Sequence, residues 1–270
     1  MTDVVLRPPT AADLADIANC WSISFGDSPA LAREIIAAGG LLHTAMAAVC
    51  AGRVRSVMFA FPELRFGGGV KAAYLYALCT APEYRGRGLG RAVCDALAQR
   101  CFALGVEVAC LAPADAGLER WYCRTLGFSP VQRVQAVPLE CAADAAWAVP
   151  VSAAEYAALR RAAGAVPALP DRLLAAQAAI LQYTGGAFVR MASLGALACA
   201  EPRGDTLLVR ELLCPAGAER AAAAALGARW PGLSLRLCRP VSEGGRVLLG
   251  RACSGAPLPP LNGLFSFPLE

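Results

Sequence analysis

The sequence is poor in the residues that usually hold metal ions. It contains a single histidine, His43, and none of its 12 cysteines belongs to a C-x-x-C pair. Zinc sites are commonly built from histidines and closely spaced cysteines. We therefore expect no metal site. Many cysteines without the spacing of a disulfide framework are typical of proteins from a reducing compartment.

Three further absences narrow the class of protein. The N-terminal residues lack the basic segment and following apolar segment of a secretory signal. No stretch of about 20 uninterrupted apolar residues could span a membrane. No basic run is interleaved with aromatic residues, as is common in nucleic-acid-binding proteins. We therefore expect a cytoplasmic protein that binds neither membranes nor nucleic acids.

Material for a hydrophobic core, in contrast, is abundant. The chain has 270 residues, of which 57% are hydrophobic and 17% charged. This length exceeds that of one typical domain, so two domains can be expected. The net charge of +4 is compatible with a polyanionic ligand but does not require one.

The most informative stretch is residues 74–104, which read as a buried strand, a glycine-rich loop and an amphipathic helix. The strand is predicted over residues 74–80, because it is apolar on both faces. The loop covers residues 82–90. In the helix, apolar residues recur close to the helical period at Leu89, Val93, Leu97, Cys101 and Leu104.

A strand, a glycine loop and a helix in this order predict an anion site. The first turn of a helix has unpaired N–H groups and a partial positive charge. Glycines let a phosphate approach that backbone, and Arg85 and Arg87 add full charges. No lysine follows the glycines, which argues against a Walker loop, and Arg91 stands where a dinucleotide fingerprint has its third glycine.

Three segments together resemble the GNAT superfamily of N-acyltransferases. Arg85-x-x-Gly88-x-Gly90 is similar to the family's coenzyme A pyrophosphate loop, Q/R-x-x-G-x-G/A. Residues 78–84 (LCTAPEY) resemble its lead-in, L-x-V-x-P-x-Y, and residues 122–128 (YCRTLGF) resemble its closing signature, Y-x-x-L-G-F. The resemblance covers about residues 3–140. The simpler alternative is a Gly-Arg surface turn before an ordinary helix.

The periodicity of residues 1–140 fits the mixed α/β sheet that the resemblance implies, with the order β-α-α-β-β-β-α-β-α-β. Besides the central strand and helix, the predicted strands are 4–7, 44–50, 54–65, 106–111 and 131–139, and the predicted helices are 10–21, 29–38 and 115–125. We expect residues 1–140 to form the coenzyme A-binding catalytic domain. Residues 138–150 are predicted to be a linker.

Residues 150–270 repeat this order of helices and strands, which predicts a second, degenerate GNAT-like domain. Strands are expected at 187–191, 196–201, 207–213, 233–237 and 246–250. The segment that corresponds to the phosphate loop, residues 214–220, lacks the glycine spacing and includes Glu219. We therefore expect no coenzyme A to bind there. The alternative is an unrelated α+β appendage.

The resemblance also implies roles for individual residues. The pyrophosphate would be bound by the loop residues Arg85, Gly86, Arg87, Gly88, Leu89 and Gly90. Pantothenate would pair with the backbone of Leu78, Cys79 and Thr80, and a backbone N–H of this strand would polarise the thioester carbonyl. Asp115 stands where many relatives have an asparagine that touches the cofactor arm; as an alternative, it caps the following helix.

The family commonly uses a tyrosine to protonate the leaving thiolate, and here the sequence departs from the pattern. Counting back from the Leu126-Gly127-Phe128 signature places that position on Cys123, whereas counting forward from Pro113 places it on Tyr122. We favour Tyr122, because a phenol stays protonated at neutral pH. The alternative is an aromatic residue packed in the core beside Trp121.

The sequence does not identify a general base. Candidates by residue type are Glu63, Glu119, Glu140 and His43, which is more readily interpreted as a strand residue. The apolar ending before Glu270 also allows a terminal carboxylate in the active site.

These interpretations predict an N-acetyltransferase that moves an acetyl group directly from acetyl-CoA to a primary amine of a small molecule or peptide. One alternative is a catalytically inactive relative that binds coenzyme A as a sensor. Another is a structural or interaction protein without a cofactor. The identity of the acceptor cannot be read from the sequence, because acceptor loops vary on a shared scaffold.

Overall fold

The computed structural model describes residues 4–142, 147–253 and 256–265. These residues divide into two compact units. The first unit lies within Met1–Val131 and Val247–Asn262, and the second within Gln132–Arg246 and Gly263–Glu270. The first unit is therefore built from two separate segments of the chain.

The strands and helices are numbered here along the whole chain. The strands are β1 (Val4–Arg7), β2 (Ala45–Cys50), β3 (Arg53–Arg65), β4 (Lys71–Thr80), β5 (Val108–Leu111), β6 (Ser129–Pro138), β7 (Val149–Val151), β8 (Ala187–Met191), β9 (Ala196–Arg203), β10 (Thr206–Leu213), β11 (Ser234–Pro240) and β12 (Arg246–Ala252). The helices are α1 (Leu14–Phe25), α2 (Pro29–Ala38), α3 (Leu89–Ala103), α4 (Ala116–Leu126), α5 (Ala153–Ala162), α6 (Asp171–Thr184) and α7 (Glu219–Arg229).

The sheet of the first unit has the strand order β1-β2-β3-β4-β5-β12. Only β4 and β5 run parallel, and α3 connects them. The mixed sheet and its order of helices and strands confirm the predicted fold class as far as α4. The predicted limits of α2 also agree with the structure, because Ser28 caps its N-terminus and Pro29 opens it.

The last strand of the first unit differs from the prediction. Residues 131–139 were expected there, but β6 pairs with β11, from Val134 opposite Pro240 to Pro138 opposite Arg236. The place beside β5 is taken by β12, with Leu249 opposite Leu111. The boundaries between the two compact units fall at residues 131–132, 246–247 and 262–263, and not within the predicted linker of residues 138–150. Periodicity identifies a strand but does not identify its partner.

The first unit has a continuous core that both chain segments help to build. The core packs one face of the sheet against α3 and α4, and its buried members include Met58, Leu75, Leu97, Leu111, Tyr122, Phe128, Val247 and Leu249. Val247 and Leu249 come from β12, and Leu249 is fully buried. The C-terminal strand is thus a part of this core.

The second unit repeats the topology of the first. Its strand order is β7-β8-β9-β10-β11-β6, with β10 and β11 parallel and α7 between them. Both parallel pairs contain a bulge on their first strand: β4 has an extra residue between Tyr76 and Cys79, and β10 has one between Val209 and Glu211. The repeated order predicted from the sequence is therefore present.

No helix within the described ranges is both long enough and apolar enough to cross a membrane.

Replacement of Leu249 by alanine tests the contribution of β12 to the first unit. We expect the free energy of unfolding to fall by about 2–5 kcal/mol, because a fully buried leucine leaves a cavity. Leu104→Ala is a matched control, since Leu104 is 70% exposed in the same unit. Denaturant unfolding followed by circular dichroism measures both. Equal, small losses for the two variants would contradict the assignment of β12 to this core.

Candidate active site

The loop between β4 and α3 requires glycine for its backbone conformation. After the 3-10 turn Pro82–Tyr84, Gly86 has φ +73° and Gly88 has φ +82°. Residues with side chains rarely adopt these values. A Cβ atom built on either glycine would meet no other atom within 4 Å. The two glycines therefore shape the loop and leave the space beside it open.

The N-terminus of α3 carries no side-chain cap. Its first intrahelical hydrogen bond runs from Ala92 N to Gly88 O over 3.0 Å, and Gly88 occupies the N-cap position. In the same unit, the side chains of Ser28 and Asp115 cap α2 and α4. The first-turn N–H groups of α3 thus lie next to the exposed loop, where an anion can serve as their partner.

Three arginines surround this loop. The guanidinium carbons of Arg87 and Arg55 each lie 5.0 Å from the centre of the Tyr84 ring. Arg85 donates from Nε to Thr80 O over 3.1 Å. Arg55 Nη1 also lies 3.4 Å from Glu83 Oε1. The sequence indicated Arg85 and Arg87 but missed Arg55, because β3 brings it to the loop from 30 positions upstream.

A notch opens in the sheet next to this loop. The pairing of β4 with β5 covers only Ala72 to Tyr74, whereas β4 continues to Thr80. Ala77, in the bulge that follows, has φ +53°, which is unusual for a residue with a side chain. The end of β4 therefore runs beyond its pairing with β5, up to the start of the phosphate loop.

The three β4 residues predicted to bind the cofactor arm lie along this notch. Cys79 O accepts a hydrogen bond from Ser56 Oγ at 2.9 Å, and Thr80 O accepts the bond from Arg85. A Cβ atom on Gly90 would lie 3.5 Å from Thr80 Oγ1 and 3.6 Å from a Leu78 methyl carbon. The structure thus brings the start of α3 and the end of β4 into close contact.

Tyr122 lies in the core of the same unit, on α4. Its side chain is buried, and its ring packs edge-on against Trp121 at 4.8 Å and Phe128 at 5.8 Å. Burial, and to a smaller extent the neighbouring Cys94 and Cys79, raise the pKa of the Tyr122 phenol well above its usual value. The phenol therefore stays protonated at neutral pH.

The loop, the notch and the fold agree with a comparison against protein families. Residues 5–131 match the family described as the acetyltransferase (GNAT) domain. The chain contains a GNAT domain. This domain contains the glycine loop before α3 and the notch beside β4.

Several solved structures are similar to almost the whole chain. A GCN5-related N-acetyltransferase from Kribbella flavida has a TM-score of 0.68 at 18% identity, over 93% of this chain and 71% of that one. One from Anabaena variabilis has a TM-score of 0.62 at 14% identity, over 93% and 73%. One from Sphaerobacter thermophilus has a TM-score of 0.54 at 17% identity, over 92% and 95%. These similarities extend the shared fold to both units. A comparison with curated proteins finds no match.

The other predicted site residues of the GNAT domain have structural environments of their own. Asp115 Oδ1 accepts a hydrogen bond from Leu118 N at 2.8 Å and so caps α4. Cys123, the alternative position for the tyrosine, is half-buried against the core. The phase of α4 therefore buries Tyr122 more deeply than Cys123 in the same core.

The candidate bases are dispersed. His43 is exposed in the 3-10 turn Leu41–Thr44 and not in a strand, contrary to expectation. Glu63 is exposed on β3, and Glu119 lies on α4. Glu140 belongs to the second unit, where its carboxylate is 3.9 Å from Arg220. The proposed terminal carboxylate of Glu270 lies outside the described residues. Among the residues described, no group of three or more side chains could hold a metal ion.

The cysteines near the notch are poorly suited to be nucleophiles. All 12 cysteines are free, and Cys79 is fully buried. Burial raises the pKa of the Cys79 thiol well above its usual value, and it raises the pKa of Cys94 and Cys110 to about 12. Since the thiolate is the nucleophile, these thiols are unreactive at neutral pH.

In the second unit, the position that corresponds to the phosphate loop has a different chemistry. The pairing of β10 with β11 ends at Val209, while β10 continues to Leu213, which repeats the notch. However, the first turn of α7 begins with Glu219, whose carboxylate forms an ion pair with Arg239 of β11. The helix that corresponds to α3 therefore begins with an acidic residue that already has a cationic partner.

Mapping of thiol labelling tests the state of these cysteines. At pH 8, a small thiol reagent should label the exposed Cys141 and Cys253 first, and Cys79 among the last, because burial keeps its thiol protonated. Peptide mass spectrometry after timed labelling measures each rate. If Cys79 were labelled as fast as Cys253, the buried and protonated state of the Cys79 thiol would be contradicted.

Proposed function

We propose that this protein is an N-acetyltransferase that moves an acetyl group from acetyl-CoA directly to a primary amine of a small molecule or peptide. The observation that carries this proposal is the uncapped N-terminus of α3, with Arg85 and Arg87 beside it, at the end of the notch in a GNAT domain. The absence of disulfides in a cysteine-rich chain favours a cytoplasmic location.

The loop and the notch would hold the two halves of coenzyme A. The first-turn N–H groups of α3, from Leu89 to Arg91, would bind the pyrophosphate together with the loop arginines. The backbone of Leu78 to Thr80 would hold the pantetheine arm.

Acetyl transfer requires an acceptor amine, a polarised carbonyl and a protonated leaving group. The amine nitrogen forms a bond to the thioester carbonyl carbon, and the carbon–sulfur bond breaks. A backbone N–H of β4 would stabilise the oxyanion, and Tyr122 would give its phenol proton to the thiolate. Overall, the amine loses one proton and coenzyme A gains one. The proton that the amine loses therefore replaces the proton that Tyr122 gave to the thiolate.

Direct transfer is favoured over transfer through a cysteine. Cys79 is the cysteine on the notch strand, and an acetyl-cysteine intermediate would require its thiolate. The raised pKa of this thiol argues against that route. The acetyl group would therefore pass to the acceptor in a single step.

The alternative function is a coenzyme A-binding relative without catalytic activity. It is favoured by one observation: the Tyr122 ring is packed between core residues, including Trp121 and Phe128, and no base is brought beside it by the contacts described. Such a protein would bind acetyl-CoA without consuming it. Turnover with an added amine separates the two functions.

Replacement of Gly88 by leucine tests the phosphate loop. We expect the affinity for coenzyme A to fall about 100-fold, the equivalent of one or two charge-assisted hydrogen bonds, because a leucine would change the loop backbone and obstruct the pyrophosphate. Calorimetric titration with coenzyme A measures the affinity. It should also give one site per chain, since Glu219 and Arg239 occupy the corresponding position of the second unit.

Gly105→Leu is the matched control for this change. Gly105 also has φ +82°, is also exposed, and a Cβ atom there would also meet nothing within 4 Å. Both variants should therefore lose a similar free energy of unfolding, about 1–2 kcal/mol. Undiminished affinity in Gly88→Leu, or equal losses of affinity in both variants, would argue against the phosphate loop.

Replacement of Tyr122 by phenylalanine tests the proposed acid. We expect kcat to fall about 100-fold or more while KM for acetyl-CoA stays the same, because the phenol would act only on the leaving thiolate. Release of free thiol in the presence of a panel of primary amines measures the rate. A wild-type rate in the variant would exclude this role. Tight coenzyme A binding without turnover by the native protein would favour the sensor.

A further inference from the structure

Arg251 of β12 joins the two helices that border the proposed active site. Its Nη1 is 2.6 Å from Asp95 Oδ1 on α3 and donates to Leu126 O, at the end of α4, over 2.9 Å. Its guanidinium carbon lies 5.1 Å from the centre of the Phe128 ring. The side chain is only 14% exposed. Arg251 belongs to the C-terminal segment of the first unit, beyond the residues that match the GNAT family.

These contacts hold the end of α4 in place. The last carbonyl groups of a helix have no intrahelical partner, and a cation is favourable there. Arg251 supplies both a donor and a positive charge to Leu126 O. The helix ends at Gly127, in the left-handed conformation, and the N–H groups of Gly127 and Phe128 both donate to Tyr122 O. The backbone of Tyr122 is therefore part of the helix end that Arg251 fixes.

The side chain of Tyr122 is connected to Arg251 as well. The Arg251 guanidinium packs on the Phe128 ring, and that ring packs edge-on against the Tyr122 ring at 5.8 Å and 73°. The backbone and the ring of Tyr122 are thus both one contact away from groups that Arg251 holds. Rotation of the phenol would require movement of Phe128.

We propose that Arg251 is a positioning residue for Tyr122, which extends the function proposed above. By fixing the end of α4 and the Phe128 ring, it holds the phenol towards the leaving sulfur of acetyl-CoA. The reaction itself does not pass through Arg251. Strand β12, which follows most of the second unit along the chain, would thus complete the active site of the GNAT domain.

The first test does not depend on activity. Tyrosine labelled with ¹³C at Cζ gives a resonance for Tyr122 that is assigned by its loss in Tyr122→Phe. We expect Arg251→Met to shift or broaden this resonance. Arg100→Met is the matched control, because Arg100 also donates to two backbone carbonyls, His43 O and Ala45 O, but on the β2 side of the unit. An unchanged Tyr122 resonance in Arg251→Met would overturn the proposal.

The second test measures kinetics at a temperature where every variant is folded. Arg251→Met should lower kcat about 10-fold or more with unchanged KM for acetyl-CoA, because a small misplacement of a catalytic group is costly. In the Tyr122→Phe background it should have no further effect on kcat. Two outcomes would overturn the positioning role and leave the proposed function intact. One is a double variant whose loss of kcat is the product of the two single losses. The other is a wild-type kcat in Arg251→Met while Tyr122→Phe is slow.

Arg251→Lys keeps the cation near Asp95 and the helix end, and it should recover part of the lost kcat. If Arg251→Met does not fold, the resonance and the kinetics of Arg251→Lys decide the question. A lysine variant with the native Tyr122 resonance and the native kcat would then overturn the proposal, whereas a shifted resonance with a lowered kcat would support it.

Discussion

The proposed active site of the GNAT domain depends on where β4 stops pairing with β5. The pairing ends at Tyr74, and a bulge at Ala77 follows, so the backbone from there to Thr80 is no longer shared with β5. Because backbone groups need partners, this strand end is suited to an extended ligand. It leads directly to the uncapped start of α3. In the proposed function, one interruption of the sheet would therefore provide both the groove for the pantetheine arm and the binding position of the pyrophosphate.

The second unit has the same interruption of the sheet but different residues beside it. It has the same strand order, a bulge at the same place on β10 and the same early end of the parallel pairing. Its helix α7, however, begins with Glu219 bound to Arg239, and no glycine spacing precedes it. The two units share a fold but differ in the few residues that decide chemistry, which is the usual relation between fold and function.

Local features of the chain could be predicted from the sequence, and non-local ones could not. The limits of α2 and the phosphate loop follow from caps, glycines and spacing within a few residues. The pairing partners of β6 and β12 could not be predicted in this way, because the apolar pattern of a strand does not specify which strand it will pair with. Arg55 and Arg251 were missed for the same reason: they reach their contacts from 29 and 125 positions away along the chain, to Tyr84 and Leu126. The burial of Tyr122 depends on the phase of α4, which packing sets.

The place of β12 in the chain has a consequence for how the GNAT domain forms. Residues 5–131 contain the whole phosphate loop and Tyr122, yet their sheet lacks the strand beside β5 until Arg246–Ala252 arrives. That strand supplies Val247 and Leu249 to the core and Arg251 to the end of α4. During synthesis the second unit is therefore made before the first can be completed. Formation of the loop is a local event, whereas completion of the core that contains Tyr122 requires the chain as far as β12.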